Sequence, residues 1–218
     1  MKFTTILALA GTAGAAIASP ISATEAAGVV NHQSIDYVQD YNGNLANFKY
    51  EKDAGTYSGS WNSPNDFVIG LGWRTGTGNR VINFNGNYNA KQGSYYAVYG
   101  WLKEPLTEYY VVENYSYDPC SIKDSHHLGS IYSDGAQYNT CKHTQINQPS
   151  IQGTQTFDQY FSVRQSKRSS GSVTLANHFN AWKEFGFAKG AAYPKFDYQV
   201  FATEAFSGQG SVNVQVSD

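Results

Sequence analysis

The chain is predicted to be all-β: a jelly-roll sandwich of two twisted antiparallel sheets with a single α-helix. Three features lead there. Short runs alternate in polarity from about residue 33 onward, turn-forming pairs punctuate them, and one segment alone carries helical spacing. In chain order, strands are predicted over 67–73, 80–84, 95–101, 105–112, 157–163 and 198–206, each rich in Val, Ile, Tyr or Phe. Asn42-Gly43, Asn85-Gly86, Asp134-Gly135 and Ser170-Gly171 read as turns, because Asn, Asp and Gly tolerate positive φ. Within 174–186, Leu175, Phe179 and Trp182 fall on one helical face. Ser172 or Thr174 caps the start, and Gly186 fits the end. One sheet curling over the other would make a concave groove able to hold a polymer.

A chain of 218 residues with 41% hydrophobic content suits one domain with a sizeable core. Fifteen basic against 17 acidic residues, with no basic stripe, make nucleic acid and anionic membranes poor partners. Residues 1–18 read as a secretory signal peptide: Lys2, an apolar stretch opening at Ile6, and small residues at Ala16 and Ala18 for cleavage. Residues 19–31 read as a propeptide or a flexible N-terminal tail, and 32–218 as the folded domain. Secretion suits a disulfide between Cys120 and Cys141, which flank a stretch expected to fold back as a hairpin, with turns at Gly129 and Asp134-Gly135. Two buried free thiols are the alternative. Asn114, followed by Tyr115 and Ser116, forms an N-glycosylation sequon.

Two carboxylates stand out. Glu108 and Glu204 each lie in an aromatic strand, and side chains on a strand alternate between its faces. Glu108 therefore shares a face with Tyr110 and Val112, and Glu204 with Tyr198, Val200, Ala202 and Phe206. Carboxylates among apolar groups are costly to desolvate unless they have a partner or a task. Two of them facing each other across a tyrosine-lined cleft would equip a glycoside hydrolase. The 17 tyrosines fit a surface that stacks sugars, and equally a β-rich secreted protein.

Eight stretches in order make this more specific. They begin at Asp36, Tyr99, Glu108, Gln148, Gln159, Ser169, Asn177 and Ala202. In this the chain resembles the family 11 glycoside hydrolases, secreted endo-β-1,4-xylanases, over nearly the whole mature length, and within them the acid-adapted fungal branch. The resemblance implies a β-jelly roll shaped like a partly closed hand, with Glu108 as nucleophile and Glu204 as general acid/base, about 5–5.5 Å apart as retention requires. It further implies a cofactor-free, monomeric enzyme acting on xylan, a target for plant xylanase-inhibitor proteins. Tyr41, Tyr95, Tyr99, Trp101, Tyr110, Gln159, Tyr198 and Phe206 match substrate-binding positions. For each aromatic, cross-strand packing competes, and for Gln159 a merely satisfied buried amide does. Pro149 and Ile151 belong to the hairpin tip, or thumb, that hangs over the cleft.

Asp66 matches a position beside the acid/base where a carboxyl accompanies acidic working pH; a carboxyl hydrogen-bonded to Glu204 would make the pair hold its proton best at low pH. A solvated turn aspartate is the alternative. Tyr41 stands where many members have tryptophan, and Gln145 where Arg is frequent, which removes a cation near the nucleophile. Strand parity points Glu113 away from Glu108, so it is expected to be a surface charge. His178 on the apolar helix face is expected to be a core histidine bonded to a buried hydroxyl. His126 and His127 are expected in a solvent-facing loop, with no metal site. A carbohydrate-binding module and a jelly-roll endoglucanase are the rival readings.

Overall fold

The structure, a computed structural model, describes residues 34–41, 43–190 and 194–218. The expected signal peptide and tail over 1–31 lie outside the described residues.

Among the described residues, thirteen strands and one α-helix follow each other: β1 (Tyr37–Tyr41), β2 (Leu45–Glu51), β3 (Thr56–Asn62), β4 (Phe67–Trp73), β5 (Val81–Lys91), β6 (Ser94–Glu104), β7 (Leu106–Tyr115), β8 (His126–Ser133), β9 (Ala136–Ser150), β10 (Gly153–Arg164), β11 (Ser170–Thr174), α1 (Leu175–Lys183), β12 (Lys195–Ala205) and β13 (Gln209–Ser217). An eight-stranded sheet runs β1-β4-β12-β6-β7-β10-β9-β8, and a five-stranded sheet runs β11-β5-β13-β3-β2. This is the predicted two-sheet, single-helix architecture, with one difference. β7 and β10 pair in parallel, Glu108 opposite Gln159, because the β8–β9 excursion returns the chain to β7 in the same direction.

Period-two alternation sorts the large sheet into two clusters. Phe67, Ile69, Leu71 and Trp73 of β4, with Tyr109 and Val111 of β7, point inward against Tyr57, Phe84, Val212 and Val214 of the small sheet. Val68, Tyr99, Trp101, Tyr110, Val112, Phe161 and Tyr198 point to the other face and form a second cluster. The helix closes one end through Leu175, Phe179 and Trp182, all buried as its spacing predicts. Burying side chains of this size stabilises by roughly 1.5–3 kcal/mol each. Thr174 is the N-cap residue, but its side-chain oxygen accepts no capping bond from the helix. Its hydroxyl and backbone N–H instead donate to Asp134, at 2.7 and 3.0 Å.

Some turn signals have other uses. Asp134-Gly135 does turn β8 into β9, and residue 42 lies outside the described residues. Asn85-Gly86 sits inside β5, where a side chain at Gly86 would collide with the backbone of Asn213 on β13. Ser170-Gly171 opens β11 and pairs with β5. Gly129 sits at a register shift within β8, with φ of 113°, and bulges the strand. In these places glycine serves close packing or a bulge, which local sequence cannot distinguish from a turn. Cys120, in a short 3-10 turn capped by Asp118, is disulfide-bonded to Cys141 on β9.

Candidate active site

The outward face of the large sheet holds a cavity of about 290 Å³ lined by Gln39, Tyr41, Asp66, Val68, Tyr99, Trp101, Glu108, Tyr110, Pro149, Ser150, Ile151, Tyr198 and Glu204. Ten of these are predicted site residues. Gln39, Val68 and Ser150 are the ones sequence reasoning missed. Parity with Tyr41 on β1 and register with Glu204 could have found the first two. A larger surface groove of about 640 Å³, beside Lys142, Asp158 and Lys183, holds no unpartnered buried side-chain polar atom among the described residues.

Glu108 is buried, and three groups bond its carboxylate. Tyr99 donates to Oε1 at 2.8 Å, Tyr110 donates to the same oxygen at 3.1 Å, and the Gln159 amide donates to Oε2 at 2.5 Å. Trp101 in turn donates its indole N–H to the Tyr99 hydroxyl at 2.7 Å. Tyr99 and Tyr110 keep their protons, since burial and the nearby carboxylates push their pKa values well above 10. No Lys or Arg lies within ion-pair distance of Glu108 among the described residues. Burial pushes the Glu108 pKa up to about 6 against the three hydrogen bonds, and Asp66 adds to the rise.

Glu204 reaches the same place from β12. Burial pushes its pKa well above the carboxylate range, Asp66 and Glu108 push it further, and only the Tyr110 hydroxyl pulls it back. Tyr110 thus serves both glutamates. Glu204 Oε2 and Asp66 Oδ1 are buried, and neither accepts a hydrogen bond in the structure. Both carboxyls line the same cavity, and each holds an oxygen without a donor. Burial raises the Asp66 pKa as well.

The aromatic walls hold these groups in place. Tyr110 stacks on Phe161 at 4.9 Å and lies 4.8 Å from Tyr99, while Trp101 packs on Phe157. Tyr198 is stacked on Tyr37 at 4.9 Å, and Tyr41 is 62% exposed, its ring free for a ligand. Tyr95 and Phe206 stand outside the main cavity. Tyr95 lines a small crevice beside Glu204, and Phe206 packs edge-on against it at 5.4 Å. The tip joining β9 to β10 carries Pro149 and Ile151 over the cavity. Ser150 donates to the Gly153 carbonyl at 2.6 Å, and Gln152 donates to the Lys103 carbonyl at 3.0 Å, so the tip is tied to the β6–β7 turn. Gly153 takes φ of 82°, which a side chain would strain.

Three expectations are corrected. Glu113 does point away from Glu108, but it is buried between the sheets, not on the surface. There it meets the Arg168 guanidinium and accepts from Tyr138 at 2.7 Å. The inward face of a central strand is core, so parity alone could not make it a surface. His178 is a core histidine, yet neither ring nitrogen has a hydrogen-bond partner; it lies edge-on to Tyr138, and Asp134 is 4.0 Å away. His126 and His127 are exposed as expected but belong to strand β8. No grouping of three or more His, Cys, Asp or Glu suits a metal, and no helix is long and apolar enough to cross a membrane, among the described residues.

The arrangement is a pair of carboxyls with separated proton affinities, no cation, and a roofed aromatic cleft. Comparison with known proteins gives the family. The family model Glycosyl hydrolases family 11 matches residues 33–215. The chain is 63% identical over 220 residues to endo-1,4-beta-xylanase 11A of Mycosarcoma maydis, covering 100% of both. It is 52% identical over 188 residues to endo-1,4-beta-xylanase B of Talaromyces purpureogenus, covering 85% of this chain and 88% of that one. A solved structure from a comparison of two major endo-1,4-beta-xylanases of Trichoderma reesei has a TM-score of 0.75 at 40% identity, covering 85% of this chain and 100% of that one. The chain belongs to glycosyl hydrolase family 11.

Proposed function

We propose, with membership of that family as the premise, that this chain is an endo-1,4-β-xylanase that cleaves internal xylosidic bonds of xylan with retention, using Glu108 as nucleophile and Glu204 as acid/base. The observation that carries it is the unequal pair. Glu108, hydrogen-bonded three times, has a pKa near 6, whereas Glu204 is held well above the usual range. Over the interval between them one is ionised and the other carries a proton, as a double displacement needs.

Glu108 attacks the anomeric carbon while Glu204 gives its proton to the leaving oxygen. The glycosidic bond breaks and a glycosyl ester to Glu108 forms. Loss of the Glu108 charge then lowers the proton affinity of Glu204, which takes a proton from water as the water oxygen attacks the same carbon and frees Glu108. Tyr41 and Tyr198 offer ring faces to sugars, Trp101 forms a wall, Tyr95 and Phe206 extend the surface beyond the main cavity, and Pro149 and Ile151 close the roof. A close roof favours xylose, which lacks a hydroxymethyl group.

An acidic optimum belongs to the same reading. The productive form has Glu108 ionised with protons on both Glu204 and Asp66, which gives the two orphaned oxygens a donor. Activity then falls on one side when Asp66 loses its proton and on the other when Glu108 gains one. Burial raises the Asp66 pKa above its ordinary value, and the maximum lies between the two events even where the productive form is the minority one.

We further place the enzyme outside the cell as a monomer, exported by the signal read in residues 1–18, with Asn114 as a glycan acceptor and plant inhibitor proteins as partners. Mass spectrometry of the secreted protein tests the cleavage and the glycan together. The decisive assay is reducing-end release from xylan, set against carboxymethylcellulose, with Glu108→Gln as control. Binding without turnover, or preference for carboxymethylcellulose, would overturn the assignment.

A further inference from the structure

A hydrogen-bond chain leads to Glu108 from a strand that does not touch it. Gln145, on β9 just before the hairpin tip, donates its amide to Gln159 Oε1 at 3.0 Å, and the Gln159 amide donates to Glu108 Oε2 at 2.5 Å. The register explains the reach. Gln159 is paired with Glu108 across β7 and β10, while Gln145 is paired with Phe157, so Gln145 is a diagonal neighbour of Gln159 on the cavity face.

We propose that Gln145 is a positioning residue for the nucleophile, fixing the Gln159 amide so that its NH₂, and not its carbonyl, faces Glu108. A glutamine amide has two ends of opposite hydrogen-bonding character and turns about its last torsion at little cost. Glu108 favours the NH₂ end only while it is ionised. A protonated Glu108, as in any resting or acid form, accepts either end. Gln145 reduces that ambiguity, since its NH₂ faces the Gln159 carbonyl and the Gln159 amide can turn only if both glutamines turn together. The amide is then set before the substrate arrives, and the bond between the two glutamines polarises the one to the carboxylate. Facing the same carboxylate are Tyr99 from β6, Tyr110 from β7, Glu204 from β12 and Asp66 ahead of β4. His143 on β9 is in register with Gln159. None of these bonds Gln159 Oε1.

This rests on the reading of Glu108 as nucleophile, so the test uses a measurement that does not depend on turnover. Glutamate carboxyl carbons are titrated by ¹³C NMR in the wild type, Gln145→Met, Gln159→Ala and the double variant. Met keeps the length of Gln and removes the donor. The Glu108 pKa is expected to rise by about half a pH unit in Gln145→Met, and the Gln145 change is expected to add nothing once Gln159 is Ala. Parallel pH profiles on xylan should show the acid limb of kcat/KM moving up with it, with KM unchanged. An unmoved Glu108 titration, or an equal shift in the Gln159→Ala background, overturns the proposal. If instead the titrations behave as expected while the wild type releases no reducing ends from xylan, the positioning role stands and the xylanase reading fails.

Discussion

Glu108 and Glu113 lie on the same strand and are both buried, yet the two faces of β7 treat them in opposite ways. On the outward face Glu108 receives two hydroxyls and an amide but no cation. On the inward face Glu113 receives Arg168 and Tyr138, with Arg164 close behind on the Tyr138 hydroxyl at 2.7 Å. Both carboxylates are costly to desolvate. Glu113 recovers part of the cost through a neighbouring charge, burial still raising its pKa, and so knits β7, β9, β10 and the 165–169 loop together. Glu108 has neutral donors alone against its burial. A buried acid without a counter-charge is available for chemistry; one with a counter-charge is committed to the fold.

That contrast breaks most visibly at Glu108 itself. Glu108→Gln should lower kcat/KM on xylan by at least about three orders of magnitude while leaving the denaturation midpoint equal or higher, because no cation is orphaned. Activity assays and urea denaturation on one preparation check both halves. The mirror experiment is Glu113→Gln. It leaves the half-buried Arg168 without its carboxylate and should cost about 1–3 kcal/mol of stability, with kcat per folded molecule little changed. A Glu113→Gln protein as stable as wild type would undo the comparison.

The two sides also answer pH differently. Cleft activity is expected to need acid, whereas His178 in the interior resists it. Burial holds the His178 pKa down at about 3, below the value of about 6.5 in an unfolded chain. A histidine depressed in this way stabilises fully only above the unfolded pKa, and its contribution drains as pH falls from about 6.5 toward 3, by at most about 1.4 kcal/mol per pH unit. His178→Leu should therefore flatten the acid side of a stability-against-pH curve measured by thermal melts.

Asp66→Asn sharpens the cleft side. With the aspartate gone its proton loss no longer limits activity, and the limbs become ionisation of Glu108 and proton loss from Glu204, whose pKa lies well above its ordinary value. The optimum should rise by about one pH unit on xylan; an unchanged or lower optimum argues against the role given to Asp66. The smallest effect is expected from Tyr110→Phe. Removing that donor from both glutamates should raise the Glu108 pKa and slow kcat/KM by about tenfold, a loss of about 1.4 kcal/mol.

Much of this was legible in the chain. Alternation over 105–112 and 198–206 put Glu108 with Tyr110 and Glu204 with Tyr198 on common faces, and the helical spacing of Leu175, Phe179 and Trp182 located the one helix and its buried side. These are local properties: a strand must alternate and a helix must repeat, whatever lies beyond them. The same alternation turned Glu113 away from the cleft but could not say toward what. Arg168 lies 55 residues later, and only the course of the chain beyond β10, alongside β7, brings it there, its backbone N–H donating to the Glu113 carbonyl. The parallel pairing of β7 with β10 was equally hidden, since register depends on which strands become neighbours. That pairing is what sets Gln159 opposite Glu108 and brings Gln145 within reach. Sequence settled the faces because side-chain direction is written in backbone geometry. Tertiary structure alone decided which charges would be neutralised, because a partner across the core carries no signature in the neighbouring residues.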